Sequence, residues 1–188
     1  MSLNLKTAAT EKPLLLEEVK DHLRLDACDE DAYLEMLMSA AVATYEDQSR
    51  TSICTQTWEL FRNTWPGCNA INLPRPPLAS VTGVYYTLDG ESEAELDSAN
   101  YHVDTVSRPG AVVLGHSKYW PTGTLQTSNG VRVEYVAGVA RSAVKDDVKA
   151  ALLLLIGHWY LHREVVTESK IMEVPQSYAA LLWKDRSW

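Results

Sequence analysis

The chain has 188 residues, 46% of them hydrophobic and 22% charged, enough to bury one sizeable core or one core with a smaller appended lobe. A net charge of −8 and a pI near 5.1 argue against a surface built for duplex nucleic acid, which needs lysines and arginines to displace phosphate counterions. The longest apolar stretch, residues 150–156, is broken by Gly157 and His158 and falls far short of the roughly 20 residues that span a bilayer. It reads as a core helix. Cys28, Cys54 and Cys68 are odd in number and lack paired spacing, which fits a reducing compartment better than a disulfide framework. Lys6, Glu11, Lys12 and Pro13 interrupt any signal-peptide run over residues 1–16.

In chain order, Leu16, Val19 and Leu23 share one face of a short helix within residues 15–23. Residues 24–28 break that pattern. Asp29, Glu30 and Asp31 then place carboxylates where a helix N-terminus favours them. Leu34, Leu37, Met38, Ala41 and Tyr45 repeat on one face of a second helix that ends near residues 47–50. Between residues 52 and 138, β-prone runs at 57–64, 70–73, 81–88, 101–106, 111–114 and 131–136 alternate with turn residues. Asp89-Gly90 and Asn129-Gly130 supply the positive φ angles of tight hairpins. Val131, Val133 and Tyr135 alternate with Arg132 and Glu134, as in a strand with one wet face.

A third helix over residues 143–163, capped by Ser142 and with Asp146 and Asp147 in its first turn, is apolar nearly all round. Val144, Val148, Ala151, Leu152, Leu155 and Trp159 form one stripe, and Leu153, Leu154 and Leu161 cover another, so this helix is expected to be central. Pro175 precedes a last short helix, residues 178–184, carrying Leu181, Leu182 and Trp183. The order of signals predicts an α+β fold. Residues 1–51 with 139–188 form its helical unit, and residues 52–138 an inserted small antiparallel β-sheet or barrel lobe.

Catalytic signals are weak. His158 and His162 share a helix face as a metal pair would, but Trp159 stands where a metallopeptidase needs Glu, and no further His or Cys has a usable spacing. His158 reads instead as a hydrogen-bonded packing residue. Asp89, Glu91, Glu93, Glu95 and Asp97 crowd one stretch, yet Gly90 is second where a calcium loop needs its glycine sixth. The stretch reads as a solvated hairpin tip, or as a deliberately acidic surface. No nucleophile elbow, dinucleotide fingerprint or Walker loop occurs. No catalytic residue, cofactor or metal is therefore expected. A small enzyme with a site assembled in the β-rich lobe is a remaining alternative.

Residues 16–26 (Leu-Glu-Glu-Val-Lys-Asp-His-Leu-Arg-Leu-Asp), then Asp29-Glu30-Asp31 and a long helix, resemble the start of the head–tail connector (adaptor) family of tailed phages and prophages. The resemblance continues through Gln56-Thr57-Trp58-Glu59-Leu60 and the proline-rich residues 73–81, with Pro74, Pro76 and Pro77. It resumes at residues 101–104, at 133–138, and at His158-Trp159-Tyr160-Leu161-His162-Arg163-Glu164. No single motif is specific; the ordered series carries the likeness. One departure is Leu15, which stands where the family often places a capping Ser or Thr. The long form with a strand-rich middle is often labelled a phage DNA-packaging protein.

The resemblance implies a structural subunit of the virion, assembled in the bacterial host cytoplasm. Its ring, commonly dodecameric, sits under the portal protein and joins it to stopper or tail-completion proteins, and DNA passes the lumen without specific binding. An alternative is a DNA-packaging accessory factor. The resemblance gives Trp58, Pro74, Pro76, Pro77, His158, Trp159, Tyr160, Arg163 and Glu164 structural roles. Trp159 is expected in the core between the helical unit and the strand lobe, and Arg163 in a carboxylate pair or carbonyl cap at its helix end.

Overall fold

A computed structural model describes residues 1–25, 30–162 and 176–186. It is α+β, and the chain divides into two compact units: Met1–Thr10 with Cys54–Val139, and Glu11–Ile53 with Ala140–Trp188.

The first unit is built on antiparallel strands. Strands β1 (Ser2–Thr7), β2 (Gln56–Arg62), β4 (Leu78–Tyr86), β5 (Ala94–Glu95) and β8 (Val131–Ala137) form one sheet in the order β1-β2-β8-β4-β5. Strands β3 (Ala70–Asn72), β6 (Tyr101–Asp104) and β7 (Ala111–Leu114) form a second, ordered β3-β7-β6. The alternation in β8 buries Val131, Val133, Tyr135 and Ala137 and turns Arg132 and Glu134 to the other face. Register pairs Trp58 with Tyr135 and Leu60 with Val133, so the apolar faces of β2 and β8 coincide. Ile71 and Val112 from the second sheet join the same cluster, so the two sheets share one core. Gly138 closes the end of β8 at φ +95°, where a Cβ would lie 2.2 Å from the Cys54 carbonyl oxygen. Only glycine fits there.

The second unit is helical, with α1 (Leu16–Leu23), α2 (Asp31–Ser49), α3 (Asp146–Leu161) and α4 (Gln176–Asp185). The periodic residues Leu34, Leu37, Met38, Ala41 and Tyr45 are the buried face of α2. Val148, Ala151, Leu152, Leu155 and Ile156 are buried on α3. Tyr178 of α4 packs edge-to-face on Tyr45 and donates its hydroxyl to Gln48 at 2.9 Å, which satisfies a polar group in a buried place. At Leu15 half a capping box survives. The backbone N–H of Leu15 donates to Glu18 at 2.7 Å, while Leu15 has no oxygen to return the bond.

All six expected strand runs are present, but β1 and β5 lie outside them. Residues 1–10 join the strand unit, not the helical one, because Leu3 and Leu60 are register partners and Leu3 packs on the strand core. The alternation of β1 rests on two leucines, Leu3 and Leu5, of which Leu5 is exposed, and so short a pattern gives an edge strand little signal. Helix α3 starts at Asp146 with Lys145 at its N-cap, so Ser142 is no cap; it lies in a short 3-10 turn, Arg141–Ala143. Neither sheet closes on itself among the described residues, so the lobe is two open sheets and no barrel.

Candidate functional site

The densest polar cluster lies on the outer face of the five-stranded sheet. Register sets Glu59 of β2 directly opposite Glu134 of β8, a like-charge pair that repels unless cations intervene. Two do. Lys6 Nζ lies 2.6 Å from Glu134 and 3.6 Å from Glu59, and Arg132 Nη1 lies 3.1 Å from Glu59 and 3.3 Å from Glu134. The other edge of the Arg132 fork donates to Glu93 at 2.6 and 2.9 Å, and its guanidinium lies 4.1 Å from the Tyr85 ring centre. The hydrogen bond to Glu134 raises the Lys6 pKa, and the Arg132 bond holds Glu93 below the usual carboxylate range. A register slip between Leu5 and Thr7 makes Lys6 a bulge residue.

The proline-rich segment meets the other face of the same strands. Trp58 is buried, and the Arg75 guanidinium lies 5.4 Å from its ring centre. Tyr135 is fully buried and donates its hydroxyl to the Pro74 carbonyl at 2.8 Å; burial pushes its pKa up. Gly138 N–H donates to the Pro77 carbonyl at 2.9 Å, and Pro76 is buried. Trp58, Pro74, Pro76 and Pro77 are therefore gathered at one end of the β2–β8 ladder.

On α3, His158, Trp159 and Tyr160 are each only partly buried. Trp159 is thus not enclosed in a core, because α3 turns its fully buried stripe through Leu152, Leu155 and Ile156 and leaves the next turn half-covered. The Tyr160 hydroxyl donates to Glu30 and its ring packs on Tyr33. His162 Nδ1 donates to the His158 carbonyl at 2.8 Å. Arg163 and Glu164 lie outside the described residues. No group of three His, Cys, Asp or Glu among the described residues is placed to hold a metal ion.

The acidic stretch is exposed but is not merely a solvated tip. Glu93 is clamped by Arg132, Asp97 accepts from the Ala99 N–H at 2.9 Å to cap a 3-10 turn, and Leu96 is buried. Sequence reading placed Arg132 and Glu134 on a wet face but missed Lys6 and Glu59. The pairings of these two with Arg132 and Glu134 reach 73 and 128 residues along the chain, and no local spacing reports them.

A recess of about 410 Å³ in the strand unit is lined by Asn63, Thr64, Trp65, Gly123, Thr124, Leu125, Gln126 and Thr127, none of them an acid or base. Exposed apolar side chains occur on both units: Val106 and Tyr119 on the strand unit are 90% and 82% accessible, and Met36, Leu161 and Trp183 on the helical unit 57%, 75% and 58%.

Residues 14–173 match the head completion protein family. A search of curated proteins gives no match. Among solved structures, the fold is similar to a chain in the neck of an empty gene transfer agent particle computed with C6 symmetry, at TM-score 0.82 and 24% identity. It is also similar to a chain in the virion of the native particle, at TM-score 0.81 and 23% identity, and to one in the native neck computed with C12 symmetry, at 0.78 and 24%. Each likeness covers 100% of this chain and 96% of the other. The chain belongs to the head completion protein family, in keeping with the head–tail resemblance carried by its sequence.

Proposed function

We propose that the chain is a non-enzymatic structural subunit of a phage or prophage head–tail junction, a connector (adaptor) that forms a ring under the portal and joins it to stopper or tail proteins. The observation that carries this reading is the end-to-end fold likeness to chains of a particle neck, two of them in necks computed with C6 or C12 symmetry. The helical unit is its connector-like part. Closed rings use heterologous contacts, in which one face of a subunit meets a different face of the next. Helices α2, α3 and α4 supply candidates in Met36, Leu161 and Trp183.

A net charge of −8 suits a ring through which DNA passes unread, because repulsion keeps phosphate from sticking to the wall. Cryo-electron microscopy of particles made with and without the chain tests the reading. A ring of density beneath the portal that disappears with the chain is the expected result. Unchanged neck density would contradict it.

A further inference from the structure

Strand β1 is tied into its sheet by pairing and side chains, and by no hairpin. Residues 8–15 are irregular, and the chain then runs through α1 and α2 before it returns as β2. β1 also precedes the residues 14–173 that match the family. Five of its six residues are exposed, and Leu3 alone packs against the core.

What makes its place specific is charge. Without β1, the β2 edge would be open and Glu59 would face Glu134 with Arg132 as the one remaining neighbour of opposite sign in the cluster described above. A strand that fills this edge well must bring a cation at the register of Lys6. A second copy of this chain carries one.

We propose that β1 is an exchangeable strand, which at high local concentration leaves its own β2 and fills the same edge on a second copy. The Lys6 contacts with Glu59 and Glu134 and the Leu3 packing are then remade between chains, so exchange costs little beyond rearranging residues 8–15. Its extent follows the concentration of neighbouring sites. This goes beyond the connector reading and does not depend on it, since it concerns two copies in solution.

The test uses the register partners Ser2 and Phe61, whose Cα atoms are paired across the ladder at a separation disulfides accept. Ser2→Cys and Phe61→Cys proteins are mixed and oxidised, with each alone as the blank for the native cysteines. A third protein carries both substitutions and reports closure within one chain. The expected result is a disulfide-linked dimer specific to the mixture, growing with total concentration. It is lost when the Ser2→Cys chain also carries Lys6→Glu, and it is regained when the Phe61→Cys chain then carries Glu134→Lys. A mixture without that dimer, at concentrations where the double variant closes within its own chain, overturns the proposal, as does a dimer indifferent to Lys6→Glu.

Discussion

Glu59 and Glu134 face each other across the β2–β8 ladder, and the sheet tolerates the pair because Lys6 and Arg132 reach it from either side. Both carboxylate side chains are 14% accessible, so the cluster lies between an exposed ion pair and a buried one. Arg132 touches three carboxylates and a tyrosine ring. Arg132→Ala is expected to cost about 1–3 kcal/mol, above the value of an isolated surface pair and below that of breaking a fully buried one. Chemical denaturation measures it. Adding Glu134→Gln to Arg132→Ala should recover part of the loss, because it removes one of the two repelling charges.

The same cluster sets an acid limit. Glu93 titrates lower in the folded protein than in the unfolded chain, so its contribution is present above the unfolded carboxylate value of about 4.3 and is lost as pH falls through the lower folded value. Glu93→Gln should lower stability at neutral pH and flatten the acid limb, so that its profile converges on the parent's at low pH.

At the alkaline end the sign reverses. Burial raises the Tyr135 pKa, so folding gains from its neutral form below about 10 and loses that gain as pH rises toward the folded value. Tyr135→Phe removes this dependence. It also leaves the Pro74 carbonyl without the Tyr135 hydroxyl, at a cost of about 1–2 kcal/mol near neutral pH. Thermal unfolding at pH 7 and pH 10.5 or so separates the two effects.

The helices were legible in the sequence for different reasons: α2 by the periodic face from Leu34 to Tyr45, and α3 by an apolar run too long for a strand. The six longer strand runs were legible from β-prone residues bounded by turns. β1 was not, since its alternation rests on Leu3 and Leu5 alone, too short to stand out from the surrounding residues. The charged cluster was half legible: alternation put Arg132 and Glu134 outward, while register alone brings Glu59 and Lys6 to them. Ser142 looked like a cap by residue type, but the 3-10 turn at Arg141–Ala143 moves the helix start past it.

Trp159 carries a further prediction. A fully enclosed tryptophan truncated to alanine costs about 3–5 kcal/mol, but this side chain is half-buried, so Trp159→Ala should cost about 1–3 kcal/mol. Differential scanning calorimetry checks the value. A cost at the upper figure would mean that its environment is more enclosed than the described residues provide.

Gly138→Ala is expected to be far more damaging than its single methyl group implies. The residue has φ +95° and would set its Cβ 2.2 Å from the Cys54 carbonyl oxygen, so strain and overlap act together. A loss on the order of 3 kcal/mol or more, seen as poor soluble yield or a lowered unfolding midpoint, is the expected outcome.

The connector reading is tested most directly by sedimentation with capsids that carry their portal but lack the connector. On the connector reading, exposed Met36, Leu161 and Trp183 supply subunit contacts while the net charge of −8 opposes closure of a free ring, so free protein is expected to be monomeric or weakly associated at low salt. Incubated with the matching capsids, it should pellet with them and saturate at a fixed number of copies per particle. Protein left entirely in the supernatant, across salt conditions and with the correct phage's capsids, would contradict the account.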